Sequence, residues 1–121
     1  MMKKYLIISL LTVFALGISA YTYADLHLLP TSLKVLVIDE LGNPVQGAEV
    51  SLFKTEEDYR AGENLLVKKT TDKDGEVVFK KLEVGSYFVH ADYDGKTNVG
   101  GGVQTEKLVE GRINKVNTIV Q

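Results

Sequence analysis

The chain of 121 residues contains no cysteine and only two histidines, which excludes several classes of protein. Without cysteine no disulfide can form, and a bacterial lipoprotein is excluded because it needs a cysteine to carry the lipid. A catalytic zinc needs three protein ligands, more than His27 and His90 supply. The domain must therefore be stabilised by burial of a hydrophobic core.

Clustered positive charge is also scarce. The net charge is −2, and basic and acidic residues are interspersed. Lys68-Lys69 and Lys80-Lys81 are pairs rather than stripes. A nucleic-acid-binding domain presents a basic face, so nucleic acid is excluded as a partner. The pattern is typical of a soluble, solvated surface.

The first 24 residues have the layout of a secretory signal peptide. Lysines at positions 3 and 4 precede an apolar region from Leu6 to Ile18, and Ala20 or Ala24 offers a cleavage site. The alternative is an uncleaved anchor, since Tyr5–Ala24 is uncharged and about 20 apolar residues span a bilayer. Both interpretations place the rest of the chain in the periplasm, at the cell surface or in the medium.

Residues 25–32 are expected to be a lead-in, and residues 33–121 one all-β domain. Runs rich in Val, Leu, Ile, Phe and Tyr alternate with Gly, Pro, Asn and Asp clusters, a pattern typical of a seven-stranded, Ig-like or transthyretin-like β-sandwich. The predicted strands are Leu33–Asp39, Ala48–Lys54, Leu65–Thr71, Glu76–Leu82, Gly85–Asp94, an irregular strand within Thr97–Val109, and Arg112–Val120.

Two connections carry strong local signals. Thr55 followed by acidic residues predicts a short helix that ends near Gly62. Asp72-Lys73-Asp74-Gly75 predicts a hairpin, because Asp-Gly between strand-like runs is a strong turn signal. A calcium loop is the weaker interpretation, because a strand separates this segment from Glu83, the acid at its twelfth position.

Strand alternation also predicts which side chains form the core. The predicted core is Leu33, Val35, Val37, Val50, Leu52, Val77, Phe79, Leu82, Tyr87, Val89, Ile113 and Val116.

The order and spacing of the turn signals resemble the carboxypeptidase regulatory-like domain over roughly Leu33–Val99. The matching segments are Val37-Ile38-Asp39, Gly42-Asn43-Pro44-Val45, Gly47-Ala48-Glu49-Val50, Thr71-Asp72-Lys73-Asp74-Gly75, Phe79, Leu82 and Gly85-Ser86-Tyr87. The resemblance implies a transthyretin-like sandwich, related to Cna protein B-type and SpaA-type domains of surface proteins, in its small secreted bacterial form. It implies no enzymatic activity, because in the carboxypeptidases this domain is an accessory to a separate catalytic domain.

The Cna protein B-type relatives often carry a Lys–Asn isopeptide bond assisted by a buried acid. Here Val37 stands at the lysine position and Ala91 at the acid position, while Asn117 matches the asparagine. Lys34 is out of register with the lysine position. The resemblance therefore implies no isopeptide bond in this chain.

Candidate ligand-binding residues are few, and no catalytic residue or cofactor is predicted. His90 and Asp92 share a strand face and could form an acid–base couple, but a surface pair is the favoured interpretation. Tyr59, on the predicted helix, is expected to be the best exposed aromatic for stacking on a sugar.

The leading hypothesis is a non-catalytic module with a binding or structural role, whose partner is a cell-envelope protein or a polysaccharide. The alternative is a carbohydrate-binding accessory protein, and an enzyme ranks third.

A metal site depends on where the signal peptide is cut. Cleavage after Ala24 would leave the mature start Asp25-Leu26-His27. Its amine, two amide nitrogens and imidazole form the square-planar set that Cu(II) and Ni(II) prefer. The competing interpretation is an accidental histidine in a tolerant tail.

Overall fold

The computed structural model of the chain describes residues 29–121. These residues contain seven β-strands and one short helix, joined by loops and turns. The elements are β1 (Ser32–Ile38), β2 (Glu49–Phe53), α1 (Glu56–Ala61), β3 (Val67–Thr70), β4 (Glu76–Phe79), β5 (Phe88–Tyr93), β6 (Lys96–Thr97) and β7 (Ile113–Ile119). The predicted strands are confirmed in number and order within this range. The predicted irregular strand within Thr97–Val109 overlaps β6 only at Thr97, and the rest of that range holds no named strand but an isolated bridge from Gln104 to Phe88.

The strands form two sheets that pack as a sandwich. One sheet has three strands in the order β4-β1-β7, with β4 antiparallel and β7 parallel to β1. The other sheet has four antiparallel strands in the order β3-β2-β5-β6. The first and last strands of the sequence are therefore neighbours in one sheet.

The core lies between the two inner sheet faces, as the alternation predicts. Nine predicted core residues are buried: Leu33, Val35, Val37, Val50, Leu52, Val77, Phe79, Tyr87 and Val89. Leu82 and Val116 are only partly buried against this core. Val45, Ala48, Ala91, Leu108 and Val120 complete it.

Ile113 is a wrong core prediction, because its side chain is 60% exposed. The parallel register places Val116 opposite Val35 and Ile113 opposite Ser32. Val35 faces the core, so Val116 does too, and Ile113, three residues earlier on the strand, faces outward. Alternation along β7 allows only one of these two residues to face inward, and the neighbour in β1 decides which.

Two turns share one five-residue hydrogen-bonding pattern. In the first, the Asp39 carboxylate accepts the amides of Leu41 (3.0 Å) and Asn43 (2.9 Å), while the Gly42 amide donates to the Asp39 carbonyl (3.0 Å). Asp72 repeats all three bonds with Asp74, Glu76 and Gly75, at 2.9, 3.0 and 3.0 Å. The aspartate carboxylates thus close the turns by binding backbone amides.

The predicted hairpin at Asp72–Gly75 is nevertheless wrong. β3 pairs with β2 and β4 pairs with β1, so this turn carries the chain from one sheet to the other. The hairpin with Asp-Gly at its tip lies elsewhere, between β5 and β6, where Asp94 and Gly95 have φ values of 49° and 77°. The Asp-Gly signal correctly marks a turn at both sites but does not specify which strands pair.

The predicted helix is confirmed as α1, together with its caps. The Thr55 hydroxyl accepts the Asp58 amide at 3.1 Å, and Gly62 ends the helix in the left-handed conformation. The Glu63 amide then donates to the Asp58 carbonyl, which completes the C-terminal cap.

The two sides of the sandwich are closed differently. On the β6–β7 side, Thr97 and Gln121 exchange backbone hydrogen bonds of 3.4 and 3.0 Å and join the sheets. The fully buried Asn98 accepts the Ala91 amide at 2.9 Å and donates to the Thr118 hydroxyl at 3.0 Å. On the other side, β3 and β4 are the edge strands of different sheets and do not pair with each other within residues 29–121.

Candidate binding cleft between the edge strands

A cleft of about 340 Å³ opens between β3 and β4, on the side where no backbone pairing joins the sheets. We call it the edge cleft. Its apolar lining is formed by Leu66, Val67, Phe79, Leu82 and Tyr87, and its charged lining by Lys54, Lys69, Lys80, Lys81 and Glu83. An apolar concavity with a few polar groups around it is the usual form of a small-molecule site.

Lys69 spans the cleft from β3 to β4. It pairs with the core residue Val50 on β2, so its side chain points inward, between the sheets. Its Nζ donates to the Val78 carbonyl at 2.8 Å and lies 5.8 Å from the centre of the Phe79 ring. The ammonium thus bonds across the opening and lies over the aromatic ring.

A second contact across the opening is an ion pair between the segments that follow β2 and β4. The Lys54 Nζ, just after β2, lies 2.9 Å from the Glu83 carboxylate, which follows β4. The hydrogen bond and opposite charge of Glu83 raise the pKa of Lys54, and the same contact lowers the pKa of Glu83. Both groups are therefore charged at neutral pH, although the pair is exposed and contributes little stability.

Tyr87 supplies a polar atom within the apolar lining. The residue is 3% exposed, and its hydroxyl donates to the Glu83 carbonyl at 2.6 Å. Burial raises the pKa of Tyr87, so the phenol stays protonated at neutral pH. The hydroxyl is thereby fixed as a donor to the loop that carries the Lys54–Glu83 bridge.

The sequence pattern gave no signal for this grouping of lysines. Lys69 belongs to one basic pair, and Lys80 and Lys81 form the other. They line one cleft because the turn at Asp72–Gly75 moves the chain to the opposite sheet, which places β3 and β4 on two sides of an opening. The hairpin prediction would have placed the two pairs on neighbouring strands of a single sheet.

Tyr59 is half-buried, so the expectation of an exposed aromatic is wrong. Its ring centre lies 6.0 Å from that of Phe53, 6.1 Å from Phe88 and 6.1 Å from His90. Burial also raises the pKa of Tyr59. The reason is that α1 contacts both β2 and β5, and its tyrosine packs onto their outer face.

His90 and Asp92 share the outer face of β5, as predicted, but their surroundings differ. His90 is partly buried opposite Ser51 and beside Tyr59. Asp92 is exposed, with Glu49 and Thr97 opposite it on the neighbouring strands. The structure therefore places the imidazole in aromatic packing and the carboxylate in solvent.

The four positions relevant to an isopeptide bond are all described. Val37 and Ala91 are fully buried in the apolar core, and Asn117 is exposed. Lys34 lies on the outer face, with its Nζ 3.3 Å from the Glu76 carboxylate. This arrangement supports the expectation drawn from the resemblance, and the absence of the bond remains a prediction.

Residues 29–121 contain no group of three or more His, Cys, Asp or Glu side chains close enough to hold a metal ion. The conditional copper or nickel site at Asp25, Leu26 and His27 lies outside the described residues, as does the predicted signal peptide.

Comparison with solved structures finds similar sandwiches in bacterial proteins. A streptococcal ancillary pilin matches at a TM-score of 0.59 and 18% identity, over 78% of this chain and 33% of that one. The TIE protein of Bacillus anthracis matches at 0.53 and 23%, over 76% and 18%. BcpA, the major pilin subunit of Bacillus cereus, matches at 0.51 and 14%, over 77% and 30%. This chain thus spans a third or less of these proteins, and the likeness shows the fold.

No curated protein sequence matches the chain. The sequence model of one family does, over residues 32–116, which include all of β1 to β6 and the first half of β7. The match covers both sheets, the sheet-changing turn and the edge cleft. The chain therefore belongs to the carboxypeptidase regulatory-like domain family.

Proposed function

We propose that this protein is a non-catalytic β-sandwich module with a binding or structural role in the periplasm or at the cell surface. Support comes from the family, from the sandwich fold it shares with pilins, and from the signal-peptide layout of residues 1–24. Two of the similar structures are described as pilins, one of them a major subunit, so sandwiches of this fold occur in pilins.

The observation that carries a structural role is that the buried polar groups bond within the fold itself. Within residues 29–121, no buried side-chain nitrogen or oxygen lacks a hydrogen-bond partner. The Thr71 hydroxyl, for example, accepts the Ala48 amide at 2.9 Å and donates to the Val45 carbonyl at 2.6 Å. The buried polar groups of the described residues thus hold the protein's own loops and strands together.

The carbohydrate-binding alternative loses its principal support. It depended on an exposed Tyr59, and this ring is half-buried against Phe53, Phe88 and His90.

No helix within residues 29–121 has the length and apolar character needed to cross a bilayer.

The proposal is tested by fractionating cells that express the full chain with a C-terminal tag. We expect the protein in the periplasmic or envelope fraction, with an intact mass reduced by 20 or 24 residues. Formaldehyde treatment of whole cells should convert part of it to discrete larger species. Full-length protein in the cytoplasm would contradict the proposed location, and no cross-linked species would contradict assembly with a partner.

A further inference from the structure

We infer that the edge cleft binds an amphipathic anion: a carboxylate or phosphate group carried on an apolar chain or ring. The apolar part would lie on Phe79, Leu82 and Leu66, with the anionic group at Lys80 and Lys81. The inference rests on the binding role proposed above and names a class of ligand for it. The ligand is a free molecule rather than a membrane surface.

The size and lining of the cleft fit such a ligand. Its volume of about 340 Å³ lies at the lower end of the range of small-molecule sites. Phe79 and Tyr87 lie almost fully buried at its base, whereas Leu66 is 48% exposed at its rim. A ligand that covers Leu66 and the partly buried Leu82 would remove their exposed apolar surface from water, which supplies favourable free energy of binding.

The charge around the cleft selects an anion. The chain as a whole is acidic, with a net charge of −2, yet four lysines and one glutamate line the cleft. Lys54 is neutralised by Glu83, and Lys69 is bonded to a backbone carbonyl. Lys80 and Lys81 are exposed, and neither forms a salt bridge within the described residues. A positive potential beside an apolar concavity attracts an amphipathic anion.

The inward direction of Lys69 disfavours an added peptide strand. β3 and β4 are edge strands, and such edges recruit extended peptides through unpaired backbone groups. An inward-pointing charged residue on an edge strand is a common protection against that pairing. Here Lys69 bonds across to Val78 on β4. A compact ligand, unlike an added strand, needs no pairing with the backbone of β3 or β4.

The test is an NMR titration of the isotope-labelled mature chain, residues 25–121, with octanoate. Acetate and octylammonium are the controls. Acetate keeps the carboxylate without the long apolar chain, and octylammonium keeps the chain but carries the opposite charge. We expect octanoate to shift the amides of Leu66, Val67, Leu82 and Glu83 in a saturable manner, with little effect from either control. Equal effects from all three compounds, or octanoate shifts elsewhere in the domain, would overturn the inference.

Variants of the cleft separate the contribution of charge to octanoate binding from that of apolar contact. Lys80→Gln with Lys81→Gln should weaken octanoate binding at least about fivefold, because two cationic contacts are lost. Lys96→Gln with Lys115→Gln removes the same charge away from the cleft and should leave binding unchanged. Leu66→Ser changes an exposed side chain, so it should weaken binding without unfolding the domain. Unchanged affinity in both cleft variants would contradict the inference.

Binding to lipid vesicles distinguishes a free anionic ligand from the headgroups of a membrane surface. Binding to phosphatidylglycerol vesicles, without binding to phosphatidylcholine vesicles or to free octanoate, would show a membrane-surface contact and overturn the inference. Fractionation tests the proposed location independently, so the failure of cleft binding would leave that result intact.

Discussion

At the residue scale, Gly75 shows how a turn becomes intolerant of substitution. Its φ is +76°, and a Cβ built on it would lie 2.9 Å from Pro44 Cβ, from the Val37 carbonyl oxygen and from the Val45 nitrogen. The turn between the sheets therefore packs directly against the turn after β1. Gly95 has nearly the same φ, +77°, but its Cβ would have nothing within 4 Å.

These two glycines form a matched pair for experiment. We expect Gly75→Ala to cost about 2–4 kcal/mol, because a left-handed conformation and a steric clash add together. Gly95→Ala should cost only about 1–2 kcal/mol, from conformation alone. Chemical denaturation of both variants, with Lys73→Ala as a neutral control, measures the difference. Equal losses for the two glycines would show that the close contacts do not matter.

Phe79 tests the core in the same way. The residue is 1% exposed, so Phe79→Ala should lower the free energy of unfolding by about 3–5 kcal/mol. Ile113→Ala is the control, because this side chain is 60% exposed and should cost no more than about 0.5 kcal/mol. A larger loss for Ile113 than for Phe79 would mean that the register of β7 against β1 is wrong.

At the scale of elements, the first of the two aspartate turns gives the domain a sensitivity to acid. Backbone hydrogen bonds, chiefly from Asn43, lower the pKa of Asp39 below its ordinary value. A carboxyl group with a lowered folded-state pKa stabilises the fold at pH values above its unfolded pKa. That contribution is lost as the pH falls through the folded pKa.

Asp39→Asn should therefore reduce the acid sensitivity. An asparagine oxygen can still accept the amides of Leu41 and Asn43, so the turn is kept at neutral pH while the titrating group is removed. We expect the thermal midpoint to fall less between pH 5 and pH 2 in the variant than in the wild type. The measurement is circular dichroism melting at several pH values. An identical decline in both proteins would mean that other groups govern acid unfolding.

The elements also show which features the sequence could predict. Strands, the helix and turns are set by local patterns, and Thr55, Gly62 and Asp72 all form the local contacts that their residue types predict. Pairing between strands is set by packing across the core. For this reason the sheet change after β3, the outward position of Ile113 and the grouping of lysines at the edge cleft were beyond local analysis.

At the scale of the whole molecule, the fold should hold without any internal cross-link. Val37 and Ala91 occupy two of the three positions that the cross-linking chemistry would need, and both are apolar and fully buried. The intact mass of the purified mature protein should therefore equal the mass of its sequence. Mass spectrometry would reveal an isopeptide bond as a deficit of one ammonia, and that result would contradict the prediction.

The parallel pairing of β1 with β7 determines how the domain would respond to tension. Seven positions pair in register, from Ser32 with Ile113 to Ile38 with Ile119. Because the strands run in the same direction, the chain enters β1 at one end of this ladder and leaves β7 at the other. A force pulling the two ends of the domain apart would act along both strands in opposite directions. It would load the ladder in shear, so its hydrogen bonds would resist together instead of opening one at a time.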